Sequence, residues 1–263
     1  MDISRRQAIT GAAGVAVGAA GAVVAGRVKD RLDENTPLPF YGSPSSAVRP
    51  DRSRPSTERT EIVWSGPGGP GAARRVALTF DDGPHPDWTP RVLKALEQAD
   101  AVATFFCLGR NVRDHGDLHR ESVGRHELAN HTFEHPDLAR FAYDRCREEI
   151  DRTSELMDRT YGSAPTLFRP PYGHVGGAGI LAAAEAGLTT VLWSAQARED
   201  LVAGHPDGIV DDIAGQVTAG SIVLAHDTGS ADRLVTIDRL PGVIERLRAA
   251  GYELVTVSAL LTG

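Results

Sequence analysis

Four clusters in this chain join residue types that do chemistry together. Asp81 and Asp82 stand side by side in Thr79-Phe80-Asp81-Asp82-Gly83-Pro84, and Gly83-Pro84 supplies a turn able to bring both carboxylates to one pocket. His131 and His135 are four apart, in Asn130-His131-Thr132-Phe133-Glu134-His135-Pro136. Pro136 biases His135 away from helical geometry, and a turn can converge the two imidazoles as a helix face would. Arg169 opens Arg169-Pro170-Pro171-Tyr172-Gly173, and His226 closes the apolar run Ile222-Val223-Leu224-Ala225. Each taken singly fits a duller role: a solvated turn, a chance pair, a surface ion-pair arginine, a core histidine. Together, two neutral imidazoles and one carboxylate make a three-ligand site with an open position, the kind that activates water on Zn²⁺ or a similar ion. Asp81 is then left over as a base. The same ligand set also serves non-haem iron oxygenases, but Asp81 and His226 as an acid/base pair suit hydrolysis better.

Such residues need rigid elements to position them. After Arg75, short apolar runs alternate with helix-length amphipathic stretches. Strands are predicted at 76–80, 101–107, 127–130, 166–168, 189–193, 221–225 and 253–257, and helices at 89–99, 111–125, 137–161, 178–186, 208–218 and 240–249. This alternation predicts parallel α/β architecture, either a barrel or an open sheet. All four clusters then fall at the C-terminal ends of strands, where both architectures place their chemistry.

Composition narrows the field from the other side. With 263 residues, 41% apolar content, a net charge of −7 and two cysteines, the chain can build one good core but neither a disulfide scaffold nor a four-thiolate zinc site. Residues 1–73 hold nine Lys/Arg and seven Asp/Glu, so the remainder carries 19 basic and 28 acidic side chains, a net charge of −9. Polyanions are repelled by such a domain, which argues against nucleic acid as a partner and favours a neutral substrate. Ser4-Arg5-Arg6 before the uncharged Gly11–Gly26 stretch has the order of a twin-arginine export signal, with a poor cleavage site that suggests retention as a membrane anchor. Seven of the sixteen prolines lie between Pro37 and Pro70, a linker composition to which no regular structure is assigned. The expected organisation is a signal or anchor over 1–26, a linker over 27–73 and a catalytic domain over 74–263. Cys107 and Cys146 are expected to be free thiols.

The sequence resembles the polysaccharide deacetylases with the NodB homology domain, carbohydrate esterase family 4. Thr79 to Pro84, His131-x3-His135, Arg169 to Gly173 and Leu224-Ala225-His226 look like four of that family's five motifs, in the family's order, over roughly residues 74–263. The resemblance implies a distorted (β/α) barrel of about seven strands and metal-dependent removal of acetyl groups from a glycan. Carried over residue by residue, it implies that Asp82, His131 and His135 bind the metal and that Asp81 is the base. Arg169 would pair with and orient Asp81, and the Tyr172 backbone N–H would donate to the oxyanion. His226 would protonate the departing amine, Leu224 would line the acetyl pocket, and Trp193 would contribute to the substrate wall. The metal so implied is a divalent ion, Zn²⁺ foremost, with Co²⁺ or another ion as alternatives.

One motif departs from the family pattern. Where the family has an Asp-Trp pair, this chain reads Arg198-Glu199-Asp200-Leu201, so the supporting acid is expected to be Glu199 in one alignment and Asp200 in the other. That departure leaves a glycan-binding module without turnover as the competing reading. Chitin oligomers, peptidoglycan and acetylated xylan remain alternative substrates, with N- or O-acetyl groups as the target. The protein is expected to be exported and to work as a monomer at the outer face, in the cell wall or in the medium. It would meet a membrane only through an uncleaved signal.

Overall fold

The computed structural model describes residues 60–69, 71–202 and 205–262. The export signal and residues 27–59 of the linker lie outside the described residues. Among the described residues, nine strands and seven α-helices follow one another in the order β1 (Ile62–Val63), β2 (Arg75–Asp81), α1 (Thr89–Gln98), β3 (Thr104–Cys107), α2 (Gly109–His115), β4 (Glu127–Asn130), α3 (Tyr143–Tyr161), β5 (Leu167–Phe168) and α4 (Gly177–Glu185). The second half runs β6 (Thr189–Val191), β7 (Ala195–Gln196), α5 (Gly208–Gln216), β8 (Ile222–His226), α6 (Leu234–Ala249), β9 (Glu253–Leu254) and α7 (Val257–Thr262). The strands pair in parallel in the order β1-β6-β5-β4-β3-β2-β8-β7, with β9 alongside β2. The sheet is a curled half-barrel with helices packed outside. It holds two more strands than the seven expected, and its path leaves β1 and β7 as edges.

The longest strand shows how the sequence builds the site. Successive side chains of β2 alternate between faces: Val76, Leu78 and Phe80 pack outward among Val92 and Leu96 of α1 and Ile244 and Leu247 of α6, while Ala77 joins the inner cluster of Phe106, Ala129, Val191 and Ile222. Thr79 and Asp81 keep the inward phase of Ala77, so a polar pair arrives at the inner face at the strand's C-terminal end. The register places Asp81 opposite Phe106 of β3 and opposite His226 of β8. Cys107 pairs with Asn130 and Asn130 with Phe168, which lines up the residues entering the next loops, His131 and Arg169 among them.

Several elements differ from the sequence expectation. Ile62–Val63, inside the segment assigned no regular structure, adds an edge strand to Thr190 and Val191 of β6. The helix expected over 111–125 is α up to His115 and then tightens into a 3₁₀ turn over Gly116–Ser122. The strand expected over 253–257 stops at Leu254, and α7 begins at Val257. Both cysteines are free and buried. No helix among the described residues is long and apolar enough to cross a membrane.

That 3₁₀ turn buries His119 completely, its ring 4.7 Å from Phe105, and neither ring nitrogen has a hydrogen-bond partner among the described residues. Burial pushes His119 down to about 3 and His126 down to about 4 from an ordinary value of 6.5. The unfolded chain therefore binds more protons than the folded one below about pH 6.5, so stability is full above that value and falls as the pH drops toward 3. His119→Leu is expected to flatten the pH dependence of the unfolding free energy between about pH 6 and 4, by up to about 1.4 kcal/mol per pH unit. Urea unfolding at a series of pH values measures it, and equal slopes for variant and parent would remove His119 as the source.

Candidate active site

Asp81, the last residue of β2, and Asp82, the first beyond it, face one pocket because the chain reverses between them. Asp82 adopts φ 75°, the left-handed region that an Asp tolerates better than most residues. Its backbone is held on both sides: its N–H donates to Phe106 O at 3.2 Å, and Asn111 Nδ2 donates to its carbonyl at 2.6 Å. After β4, Thr132 at φ 71° and His135 at φ 64° fold Asn130–Pro136 into a turn that converges the two imidazoles, with ring centroids 5.1 Å apart. The turn is fastened from within, since Asn130 Oδ1 accepts from Thr132 N–H at 2.8 Å and Thr132 Oγ1 accepts from His135 N–H at 3.1 Å.

Asp82, His131 and His135 come together with ligand atoms all within 4.8 Å of one another. Asp82 Oδ1 lies 3.4 Å from His131 Nε2 and 3.2 Å from His135 Nε2. It is buried and has no hydrogen-bond partner among the described residues. His131 Nδ1 sits 2.8 Å from the carbonyl of Arg169, to which it donates, leaving Nε2 as the lone-pair nitrogen that a metal takes. Burial pushes His135 down to about 4, so its ring is neutral at neutral pH. Burial alone would lower His131 too, but Asp81 and Asp82 outweigh it and raise its pKa. Burial alone would raise the Asp82 carboxyl; His131 beside it and the other neighbouring imidazoles hold it well below the ordinary carboxylate range. An orphaned carboxylate oxygen facing two ring nitrogens is the donor set a borderline-soft divalent cation prefers.

Arg169 is fully buried, and every one of its nitrogens is used. Nη1 donates to Asp81 Oδ1 at 2.6 Å and to Thr79 Oγ1 at 2.8 Å, Nε to Val191 O at 3.2 Å and Nη2 to Leu192 O at 3.1 Å. The guanidinium carbon lies 3.9 Å from the Phe106 ring centre. Asp81 is thereby fixed, with Oδ2 3.7 Å from His131 Nε2. His226 is half-buried across the register from Asp81, and its Nδ1 has no partner among the described residues. Burial pushes His226 down to about 4, opposed by the nearby Asp81 carboxylate. Leu224 is buried two residues earlier on β8. Tyr172, at φ 61° in the turn Pro171–Gly173, is 60% exposed and lays its ring 4.6 Å from that of His135. Trp193 donates from Nε1 to Gln196 Oε1 at 3.0 Å and packs so closely on Gly173 that a Cβ there would come within 2.6 Å of the indole. A cleft of about 360 Å³ opens beside Asp82 and His135, bordered by His85, Arg110, Asn111 and Gly229.

The fourth motif is built differently from the expectation. Glu199 is buried against α6, where Thr236 Oγ1 donates to its Oε1 at 2.7 Å, and Asp200 is exposed. Among the described residues neither acid bonds to Arg169 or His226, so the supporting-acid role expected of Glu199 or Asp200 is not met. The physical reason is local: residues Glu199–Val202 form a 3₁₀ turn that aims Glu199 at the helix, and backbone carbonyls take the donors of Arg169 that an acid would have used. The sequence reading also missed Asp227, fully buried beside His226, which accepts from Thr89 Oγ1 at 2.5 Å. Its signal was its place directly after His226. Burial pushes its carboxyl up to about 7. Arg233 and Asn111, both on Asp82, gave no sequence signal.

A curled parallel half-barrel with an Asp-His-His cluster and a buried Asp–Arg pair at its C-terminal rim defines a class, and the comparisons agree with it. Residues 68–191 match the family model described as polysaccharide deacetylase. A peptidoglycan-N-acetylglucosamine deacetylase of Bacillus cereus is 37% identical over 202 residues, covering 76% of this chain and 92% of that protein. A chitooligosaccharide deacetylase of Bradyrhizobium sp. is 36% identical over 193 residues, covering 69% of this chain and 88% of the other. Among solved structures, the Bc1960 peptidoglycan N-acetylglucosamine deacetylase, in complex with a naphthalenyl N-oxidanyl-benzamide, superposes with a TM-score of 0.70 at 33% identity, covering 76% of this chain and 92% of that one. This chain belongs to the polysaccharide deacetylase family, carbohydrate esterase family 4. It is a hydrolase, one of the deacetylases that act on glycans.

Proposed function

We propose that this protein is an exported, metal-dependent deacetylase that removes N-acetyl groups from a neutral cell-wall glycan, with peptidoglycan ahead of chitin oligomers. The observation that carries the metal dependence is the orphaned Asp82 Oδ1 facing His131 Nε2 and His135 Nε2. Support for the glycan comes from relatives named for peptidoglycan and chitooligosaccharide, and support for export from the twin-arginine order of the first residues.

Asp82, His131 and His135 would hold the ion, Zn²⁺ foremost. When bound, such an ion supplies Lewis-acid polarisation of the acetyl carbonyl and acidifies a water. Asp81, held by Arg169, takes the proton from the attacking water. The oxyanion that forms is met by the Tyr172 backbone N–H. The proton taken from the water balances the one the departing amine needs, and His226, neutral at rest, passes it on, because an unprotonated amine nitrogen leaves poorly. Leu224 closes the pocket around the acetyl methyl, and Trp193 forms part of the wall.

The test is metal analysis of the purified protein together with acetate release from peptidoglycan, chitin oligomers and acetylated xylan, with and without chelator. The parent is expected to hold about one equivalent of divalent metal and release acetate that chelation abolishes. His131→Ala is expected to lose both metal and acetate release. A parent that binds no metal, or releases acetate undiminished under chelation, would overturn the reading. The partnerless Nδ1 of His226 and the turned-away Glu199 favour one competitor, a glycan-binding protein without turnover. Glycan retention with no acetate from any substrate would decide for it.

A further inference from the structure

Asp82 presents its two carboxylate oxygens to different partners. Oδ1 faces the two imidazoles and is otherwise unpartnered, while Oδ2 accepts from Arg233 Nη1 at 2.9 Å. The same Nη1 donates to the carbonyl of Thr228 at 2.9 Å, which anchors the guanidinium to the loop leaving β8. That loop is shaped around it: Gly229 runs at φ 120°, and a Cβ on it would lie 2.5 Å from Arg233 Nη1. Arg233 ends a 3₁₀ turn, Ala231–Arg233, that continues directly into α6, whose Thr236, Ile237 and Leu240 are buried in the core. The arginine is thus carried on a rigid element, and the glycine leaves the space it occupies.

We propose that Arg233 is a positioning residue that makes Asp82 a one-oxygen ligand and so sets the affinity of the Asp82-His131-His135 site for a divalent cation. The proposal rests on the reading of that trio as a metal site. A carboxylate free to rotate can offer either oxygen, or both, to a cation. A charge-assisted hydrogen bond to Oδ2 removes that choice and leaves Oδ1 aimed at the point the two Nε2 atoms share. Neither metal chelation nor the rest of the motif reveals this partner, because Arg233 lies 151 residues from Asp82 along the chain. Partners that orient a metal ligand in this way typically account for about 10–100-fold in metal affinity.

The experiment is titration of the metal-stripped full chain with Co²⁺ alone, reading the dissociation constant by competition with a chromophoric chelator and the ligand-field absorption of the bound ion. Thermal unfolding of the metal-free proteins runs alongside. Arg233→Met is expected to weaken Co²⁺ binding by about 10–100-fold and to change the absorption band. Its metal-free melting temperature is expected to stay close to the parent's. Arg233→Lys keeps the charge and a single donor and is expected to fall between the two. A folded Arg233→Met protein that binds Co²⁺ as tightly as the parent, or more tightly, would overturn the proposal. If that variant does not fold, Arg233→Lys decides alone: affinity equal to the parent's overturns the proposal, and weaker affinity upholds it. A parent that takes up no Co²⁺ would instead bring down the metal-site reading itself, a result distinct from equal binding by parent and variant.

Discussion

Asp81→Asn is expected to lower acetate release by about 10²–10⁴-fold, the range of a lost general base, while metal content stays at the parent's level. The separation follows from where the two neighbouring carboxylates lie. Asp82 Oδ1 belongs to the compact ligand trio; Asp81 does not, and its Oδ1 is committed to Arg169 at 2.6 Å. An amide in place of the Asp81 carboxyl can still accept from Arg169 but cannot take up a proton from water. The fall should therefore appear in kcat, with KM little changed. Asp82→Asn makes the contrast, because it is expected to lose metal and turnover together. An Asp81→Asn enzyme with parental kcat would take the base role away from Asp81.

Arg169→Met is expected to cost about 3–5 kcal/mol of stability, the usual result of leaving one member of a buried ion pair behind. Arg169 is fully buried and Asp81 nearly so, with side-chain exposures of 0% and 5%. Removing the guanidinium strands the Asp81 carboxylate. It also leaves the Thr79 hydroxyl and the carbonyls of Val191 and Leu192 without their donor. Burial already disfavours the charged guanidinium, and the neighbouring Asp81 charge opposes that effect, so the two groups stand or fall as a unit. A double-mutant cycle with Asp81→Asn checks the reasoning: the double variant should recover part of the loss, because the stranded charge has gone. Additive losses, or a loss under about 1 kcal/mol for Arg169→Met alone, would show that solvent reaches the pair.

Much of the site was legible because its chemistry is written in short local runs. Asp81-Asp82, His131-x3-His135 and Arg169 each sit where an apolar run stops, and a parallel sheet brings such stops together at one rim. The inward phase of Thr79 and Asp81 follows from strand alternation alone. What escaped the sequence depended on partners far away along the chain. Ile62–Val63 is too short to register as a strand, and its place comes from β6, more than 120 residues later. Arg233 is one arginine among many until the fold brings it to Asp82. Alignment makes Glu199 or Asp200 a support for the site, whereas a turn of only four residues sends Glu199 to Thr236 and leaves Asp200 exposed. His119 falls within the helix expected over 111–125, and the 3₁₀ turn that begins at Gly116 buries it instead.

Of the five non-glycine residues at positive φ among the described residues, Asp82 and His135 belong to the Asp-His-His cluster, and Thr132 and Tyr172 lie in the loops that carry His135 and the ring packed against it. Backbone held this way costs on the order of 1–3 kcal/mol per residue. Heat-resistant variants sought by random substitution would therefore gather at these four positions, each relaxing a loop and blunting its chemistry. Engineering for endurance is better directed to the helices on the outer layer, leaving the rim as taut as selection has made it.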